Sequence, residues 1–335
     1  MFSRSISVAS IAAASSLLTV PSQNLKCENQ QKIKIYKSSN GKCVYLTKNE
    51  DVLAKKLGKM SLDGPKSLKV VTDFDFTLTK FFKKDFGRAY SCHKVLEECN
   101  LLNPAYHTKA KELHAYYYPK EVDPNLDNTT RIKYIEEWVT SAHGLFKKYE
   151  LTSAVLDKAI DMAVKSDSIK LREGVKDVLS FLHHNDIPVL IFSAGIANIL
   201  RGVLQKLGVD SKGYEVASNQ LVFDVDTGKM TGFKGAVYHV FNKMGSSVPA
   251  SSPFMLAKER RNLILMGDSF GDLNMKHGID YDCVLEIGFL NDKYERLEAY
   301  LDLYDIVCLG DPEMDVVMDI LGSITHAPIP VTVHN

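Results

Sequence analysis

The sequence predicts an α/β protein: a parallel, Rossmann-like sheet covered by helices on both faces, interrupted by an α-helical insertion. Short apolar runs recur, each followed by polar or helical sequence. Helix-period segments flank at least one of them. More than a hundred residues separate the first run from the next sheet strand, far too many for a loop, so they must hold a subdomain.

In chain order, residues 1–56 read as an N-terminal extension. Met1 to Cys27 contains no acidic residue, and its only charges are Arg4 and Lys26. It is too short and serine-rich for a membrane span and poorer in arginine than a mitochondrial transit peptide. A targeting segment, mitochondrial or secretory, and a disordered tail are both open readings.

Leu68 to Thr72 is the first buried strand, in a core assigned to 57–84 and 186–335. The intervening 85–185 forms the helical cap, with helices expected at Asn103–Tyr118, Arg131–Tyr149 and Thr152–Ser166, all rich in Lys, Glu, Ala and Leu. The run Ile187 to Phe192 is the second strand, flanked by helices through Val175 to Leu182 and Leu200 to Leu207, the latter stopped by Gly208. Further strands are expected at Tyr214–Ala217, Asn262–Met266, Val284–Ile287 and Asp305–Cys308. Asp226-Thr227-Gly228 turns a hairpin within Gln220–Lys234. A cap inserted after the first strand covers the carboxyl ends of the strands, where open parallel sheets bind ligands.

With 41 Lys+Arg against 41 Asp+Glu, the chain lacks the bulk charge that binds nucleic-acid polymers or anionic membranes. Its 15 Tyr, 15 Phe and abundant aliphatic residues exclude a disordered chain. Cys27, Cys43, Cys92, Cys99, Cys283 and Cys308 contain no CxxC pair and read as reduced, buried thiols.

Four polar constellations fall at strand ends. Asp73-Phe74-Asp75-Phe76-Thr77 follows the first strand; two carboxylates so close together call for a hard divalent cation such as Mg²⁺. Ser193-Ala194-Gly195 follows the second, offering a hydroxyl and amides to an anion. Lys234 and Lys243 compete as a cation against phosphate. Gly267-Asp268-Ser269-Phe270-Gly271-Asp272 adds a second acidic pair, Asp268 for the metal and Asp272 to orient a neighbour. Together the set specifies phosphoryl transfer.

This set resembles the four motifs of the haloacid dehalogenase superfamily of phosphohydrolases. VVTDFDFTLTKF, SCHKVLEEC, KEVDP, LREG, IPVLIFSAGI, GFKGAVYHVFNK and LILMGDSFGDLNM go further and resemble the type III cytosolic 5'-nucleotidases, over Leu57 to Leu321. The resemblance implies Mg²⁺-dependent hydrolysis of pyrimidine or 7-methylguanosine monophosphates through an aspartyl-phosphate, with phosphotransfer to a nucleoside also open. It implies Asp73 as nucleophile and Asp75 as acid and base, and a metal held by Asp73, Asp75 and Asp268. Ser193, Ala194 and Lys243 would bind phosphate, with Asp272 in support. Glu121 would read the base, with His93 in the same pocket. The expected protein is a cytoplasmic monomer whose partner is its nucleotide.

Val139 stands where an aromatic residue follows the tryptophan in pyrimidine-type members, and Ala142 stands where they have serine, which leaves base preference open. Trp138 and Tyr116 to Tyr118 read as cap packing. A phosphatase of another small metabolite, such as phosphoserine, would keep the same catalytic set.

Overall fold

The computed structural model describes residues 33–326 apart from Val122, Pro124, Asp210 and Ala236. The segment 1–27 lies outside the described residues. The five described cysteines are free and buried.

Nine strands form one sheet: β1 (Lys34–Lys37), β2 (Val44–Thr47), β3 (Leu68–Thr72), β4 (Val189–Ile196), β5 (Glu215–Phe223), β6 (Met230–Lys234), β7 (Asn262–Gly267), β8 (Cys283–Leu290) and β9 (Ile306–Leu309). Their order is β1-β2-β9-β8-β7-β3-β4-β5-β6. The six strands from β9 to β5 run parallel, with antiparallel pairs only at the two margins.

Central β3 is buried along its whole length, which is why it reads as an unbroken apolar run apart from Lys69. The chain leaves β3 first for β4 and β5, then returns to β3's other side for β7, β8 and β9. The carboxyl ends of β3, β4 and β7 therefore border the crevice of a topological switch point.

Two features depart from the sequence expectations. Residues 34–47, assigned to an extension, form a hairpin that pairs with β9 through Tyr45↔Cys308 and Leu46↔Val307. Four-residue strands such as KIYK are too short for a period to show. Tyr214–Ala217 and the first arm of the hairpin run together as β5, and its pairing with β4 shifts register between Phe192 and Ile196 on β4.

The helices are α1 (Glu50–Asp63), α2 (Cys92–Glu98), α3 (Pro104–Glu121), α4 (Asn128–Lys148), α5 (Ser153–Lys165), α6 (Val175–His184), α7 (Ala197–Lys206), α8 (Pro253–Leu256), α9 (Leu297–Leu303) and α10 (Asp315–Thr325). In the cap, α2 begins at Ser91, whose hydroxyl accepts from the Lys94 amide at 3.4 Å. Helix α4 starts earlier than expected because Asp127 caps the Thr130 amide at 2.9 Å. Helix α3 runs past the expected stop and carries Pro119 inside it.

The cap seats on the core through aromatic rings. His143 of α4 stacks on Phe233 of β6 at 3.8 Å between ring centres, and on His93 of α2 at 6.3 Å. Trp138 stacks on buried Tyr117 at 6.1 Å and meets His114 edge-on, so it is cap packing. Tyr116 and Tyr118 are exposed at the rim.

Burial, helped by His93, pulls His143 down to about 3. Its folded pKa lies below its unfolded one, so the stability it contributes is present above about pH 6.5 and is lost as pH falls toward 3. At pH 5 this single group is expected to cost about 2 kcal/mol. His143→Phe keeps a ring against Phe233 and removes the titration, so its unfolding free energy should fall less between pH 7 and pH 5 than the wild type's. Equal slopes in denaturant titrations would contradict this account.

Candidate active site

The β3 strand delivers Asp73 into the crevice, and the ladder continues one residue further: the Asp73 amide donates to Met266 O at 3.0 Å. The chain then turns sharply. Phe74 O accepts from the amides of Leu78 at 3.0 Å and Thr79 at 3.1 Å, and Phe76 takes a left-handed φ of 65°. This turn separates the two aspartates, so they have different neighbours.

Asp73 is buried with Lys243, whose ammonium donates to Asp73 Oδ1 at 2.6 Å and Asp272 Oδ1 at 2.7 Å. Lys234 is exposed on the margin strand β6, so the geometry selects Lys243. The other oxygen of Asp272 accepts from the amides of Asp268 at 3.1 Å and Ser269 at 2.9 Å, and from the Ser269 hydroxyl at 2.8 Å. A Cβ on Gly267 would lie 2.4 Å from the Asp272 Cβ, so only glycine lets that carboxylate fold back under the strand end. Tyr300 donates to Asp268 O, and Tyr304 to Ser269 O at 2.6 Å, fixing the loop from below.

Asp73, Asp268 and Asp272 each offer an oxygen within 4.8 Å of the others. Lys243 is the one ammonium bonded to this cluster, and among the described residues no donor reaches the Asp268 carboxylate. Burial, then repulsion by Asp272 and Asp73, drives Asp268 well above the carboxylate range. Burial raises Asp73 to about 7 against the pull of Lys243. Burial also pulls on Lys243, but Asp272 and Asp73 outweigh it and hold the ammonium above its ordinary value. An uncompensated, oxygen-only, negative cluster fits a hard divalent cation.

Asp75 stands outside that cluster. Its two oxygens accept from the Cys92 amide at 3.0 and 3.1 Å, and burial lifts its carboxyl to about 6 against those bonds. It faces Gly195, where an added Cβ would sit 3.2 Å from Asp75 Oδ2 and 3.1 Å from Ser193 Oγ. Ser193 is buried, its Oγ accepting from the Gly195 amide at 3.0 Å, and Ala194 is half-buried. Asn219 on β5 donates to Ala194 O at 2.8 Å and Tyr238 O at 2.9 Å, tying this loop to the segment that carries Lys243.

Within the cap, His93 lines a cavity with Glu97, Tyr106, Trp138, Ala142 and Phe146. Glu121, half-buried at the end of α3, is not part of that lining. Among the described residues no donor reaches its carboxylate, and burial raises its pKa. Cys92 and Asn219 escaped the sequence reading: Cys92 meets Asp75 through its amide as well as its side chain, and Asn219 binds backbone groups.

Residues 76–325 match the pyrimidine 5'-nucleotidase (UMPH-1) family. The 7-methylguanosine phosphate-specific 5'-nucleotidase A of Xenopus laevis is 34% identical over 287 residues, covering 85% of this chain and 97% of that one. The human 7-methylguanosine phosphate-specific 5'-nucleotidase is 36% identical over 270 residues, 80% of this chain and 88% of that protein. Among solved structures, cytosolic 5'-nucleotidase IIIB bound to cytidine superposes with a TM-score of 0.77 at 28% identity, covering 84% of this chain and 94% of that one. On this family match and these relatives, with the carboxylates, serine and lysine meeting at the ends of β3, β4 and β7, the chain belongs to the pyrimidine 5'-nucleotidase family.

Proposed function

We propose that the protein hydrolyses nucleoside 5'-monophosphates, with 7-methylguanosine and pyrimidine monophosphates as the substrate class. The observation that carries this is the division of labour between Asp73, locked to Lys243, and Asp75, held apart by Cys92. Asp73 attacks phosphorus and forms an aspartyl-phosphate while Asp75 protonates the departing 5'-oxygen; Asp75 then takes a proton from the water that hydrolyses the intermediate. A carboxyl lifted to about 6 is suited to both roles near neutral pH. The Ser193 hydroxyl, the Ala194 amide and Lys243 bind the phosphate oxygens.

Asp73 and Asp268 would hold Mg²⁺, and Asp75, whose carboxylate is bound to Cys92, stands beside that cluster. The ion would supply the positive charge this cluster lacks. Glu121, a half-buried acceptor without a donor, would read an exocyclic amino group on the base. In this reading the protein acts as a cytoplasmic monomer.

Asp73→Asn is expected to lower kcat on cytidine monophosphate by about 10⁴-fold or more with an unchanged melting temperature. Wild-type turnover in that variant would remove Asp73 as nucleophile. Chelation should abolish phosphate release and added Mg²⁺ restore it, with Asp268→Asn needing a higher Mg²⁺ concentration for half-maximal rate; metal-independent turnover would refute the cation site. Glu121→Ala should raise KM for cytidine monophosphate roughly tenfold or more and leave ribose 5-phosphate unaffected. Equal effects on the two substrates would show that Glu121 does not read the base. A panel that adds phosphoserine tests the substrate class itself: phosphoserine outperforming every nucleotide would overturn it.

A further inference from the structure

Arg172, in the segment that leads into α6, is 2% exposed, yet no step above uses it. Its Nη2 donates to Phe76 O at 2.6 Å and to Asn291 Oδ1 at 2.6 Å, and its Nε donates to Thr77 O at 2.7 Å. Its Nη1 donates to Asp311 Oδ1 at 2.7 Å and Pro312 O at 2.9 Å. Asn291 adds its own amide to the same Phe76 carbonyl at 3.0 Å. The Asp311 carboxylate also accepts from the amides of Phe81 at 2.8 Å and Phe82 at 3.1 Å. One guanidinium thus closes three loops at the carboxyl ends of β3, β8 and β9, and its plane covers the Phe289 ring at 4.7 Å.

The carbonyls it holds belong to the turn that separates Asp73 from the rest of the catalytic segment. Phe76, next to Asp75, has a left-handed φ of 65°, a conformation that a bulky L-residue keeps only when its surroundings over-determine it. Here the two donors on Phe76 O and the one on Thr77 O supply that constraint. Burying a charge for this purpose is costly, and Asp311 is the carboxylate that balances it. A lysine could not substitute, because one ammonium on a flexible stem cannot present the planar fork that meets both carbonyls and Asp311 at once.

We propose that Arg172 is a positioning residue for phosphate-ester hydrolysis: it holds the left-handed turn after Asp75 and thereby sets the acid–base carboxyl relative to the Asp73 nucleophile. The proposal rests on the reading of Asp73 and Asp75 given above. Ser193, Lys243 and Glu121, which would bind substrate, make no contact with this guanidinium, so its loss acts on kcat and leaves KM in place.

The test is steady-state kinetics of wild type, Arg172→Lys, Arg172→Ala, Asn291→Ala and Asp73→Asn on cytidine monophosphate and on p-nitrophenyl phosphate, with melting curves and with or without methylguanidinium. Arg172→Lys is expected to lose about 100-fold in kcat, with KM within about threefold of wild type. Arg172→Ala should lose more and recover at least about tenfold in methylguanidinium, whereas Asp73→Asn should not respond. A wild-type kcat in Arg172→Lys, a loss confined to KM, or no recovery in folded Arg172→Ala would overturn the proposal. Should the Arg172 variants fail to fold, Asn291→Ala carries the test, since it removes one donor to Phe76 O and leaves the Arg172–Asp311 pair; its kcat should fall several-fold at constant KM, and an unchanged kcat overturns the idea. A wild type that cleaves p-nitrophenyl phosphate but no nucleotide refutes the nucleotidase reading while leaving the Arg172 comparison decisive.

Discussion

The Lys243 ammonium, shared between Asp73 and Asp272, is the interaction on which the rest of the site depends. All three side chains are buried, and a buried charge that loses its partner costs several kcal/mol. The lysine therefore locates both carboxylates at once. Asp272 can take its place only because Gly267 has no Cβ and because three donors from Asp268 and Ser269 occupy its second oxygen. That arrangement leaves Asp268 as the carboxylate of the cluster with no donor among the described residues, the point where an added cation gains most.

Asp75 obeys a different constraint. It is as much a product of burial as Asp73, but its neighbours are the Cys92 amide and the Ser193–Gly195 loop rather than an ammonium. Two aspartates two residues apart thus have separate surroundings because the chain leaves the extended strand and begins its turn at Phe74. A continuous strand would have put both carboxylates on one side of β3, as the simple alternation of the sequence suggested, and they would have shared one environment. The turn is what gives the two carboxyls the different surroundings on which the proposed nucleophile and acid roles rest.

Much of this was legible in the sequence because it is local. The apolar runs of β3, β4 and β7 lead straight into DFDFT, SAG and GDSFGD, with SAG still inside β4 and Gly267 closing β7, so each buried run announces the polar motif it carries. The choice between Lys243 and Lys234 was not local. Both lie in aromatic, glycine-flanked segments, and only the fold shows Lys234 at an exposed margin and Lys243 beside Asp73. Asn219 and Arg172 were illegible for a shared reason: they bind backbone carbonyls far away in sequence. A carbonyl acceptor has no residue type, so nothing in the chain points to the side chain that binds it. The β1–β2 hairpin hid because four-residue strands carry too few alternations to register a period.

The contacts that seat the cap also reach the candidate site. Helix α2 supplies His93 to the cap interior and, one residue earlier, the Cys92 amide to Asp75. Helix α4 reaches the core through His143 on Phe233 and places the Arg131 guanidinium 5.9 Å from the Phe241 ring, two residues before Lys243. The Arg131 side chain also donates to Asp123 O at 2.8 Å and Leu126 O at 3.0 Å, in the loop that follows Glu121. The contacts of the cap therefore reach Asp75, the loop after Glu121 and the segment of Lys243 together. Burial lifts Asp75 to about 6, and the Cys92 amide that begins α2 is one of the groups that enclose it.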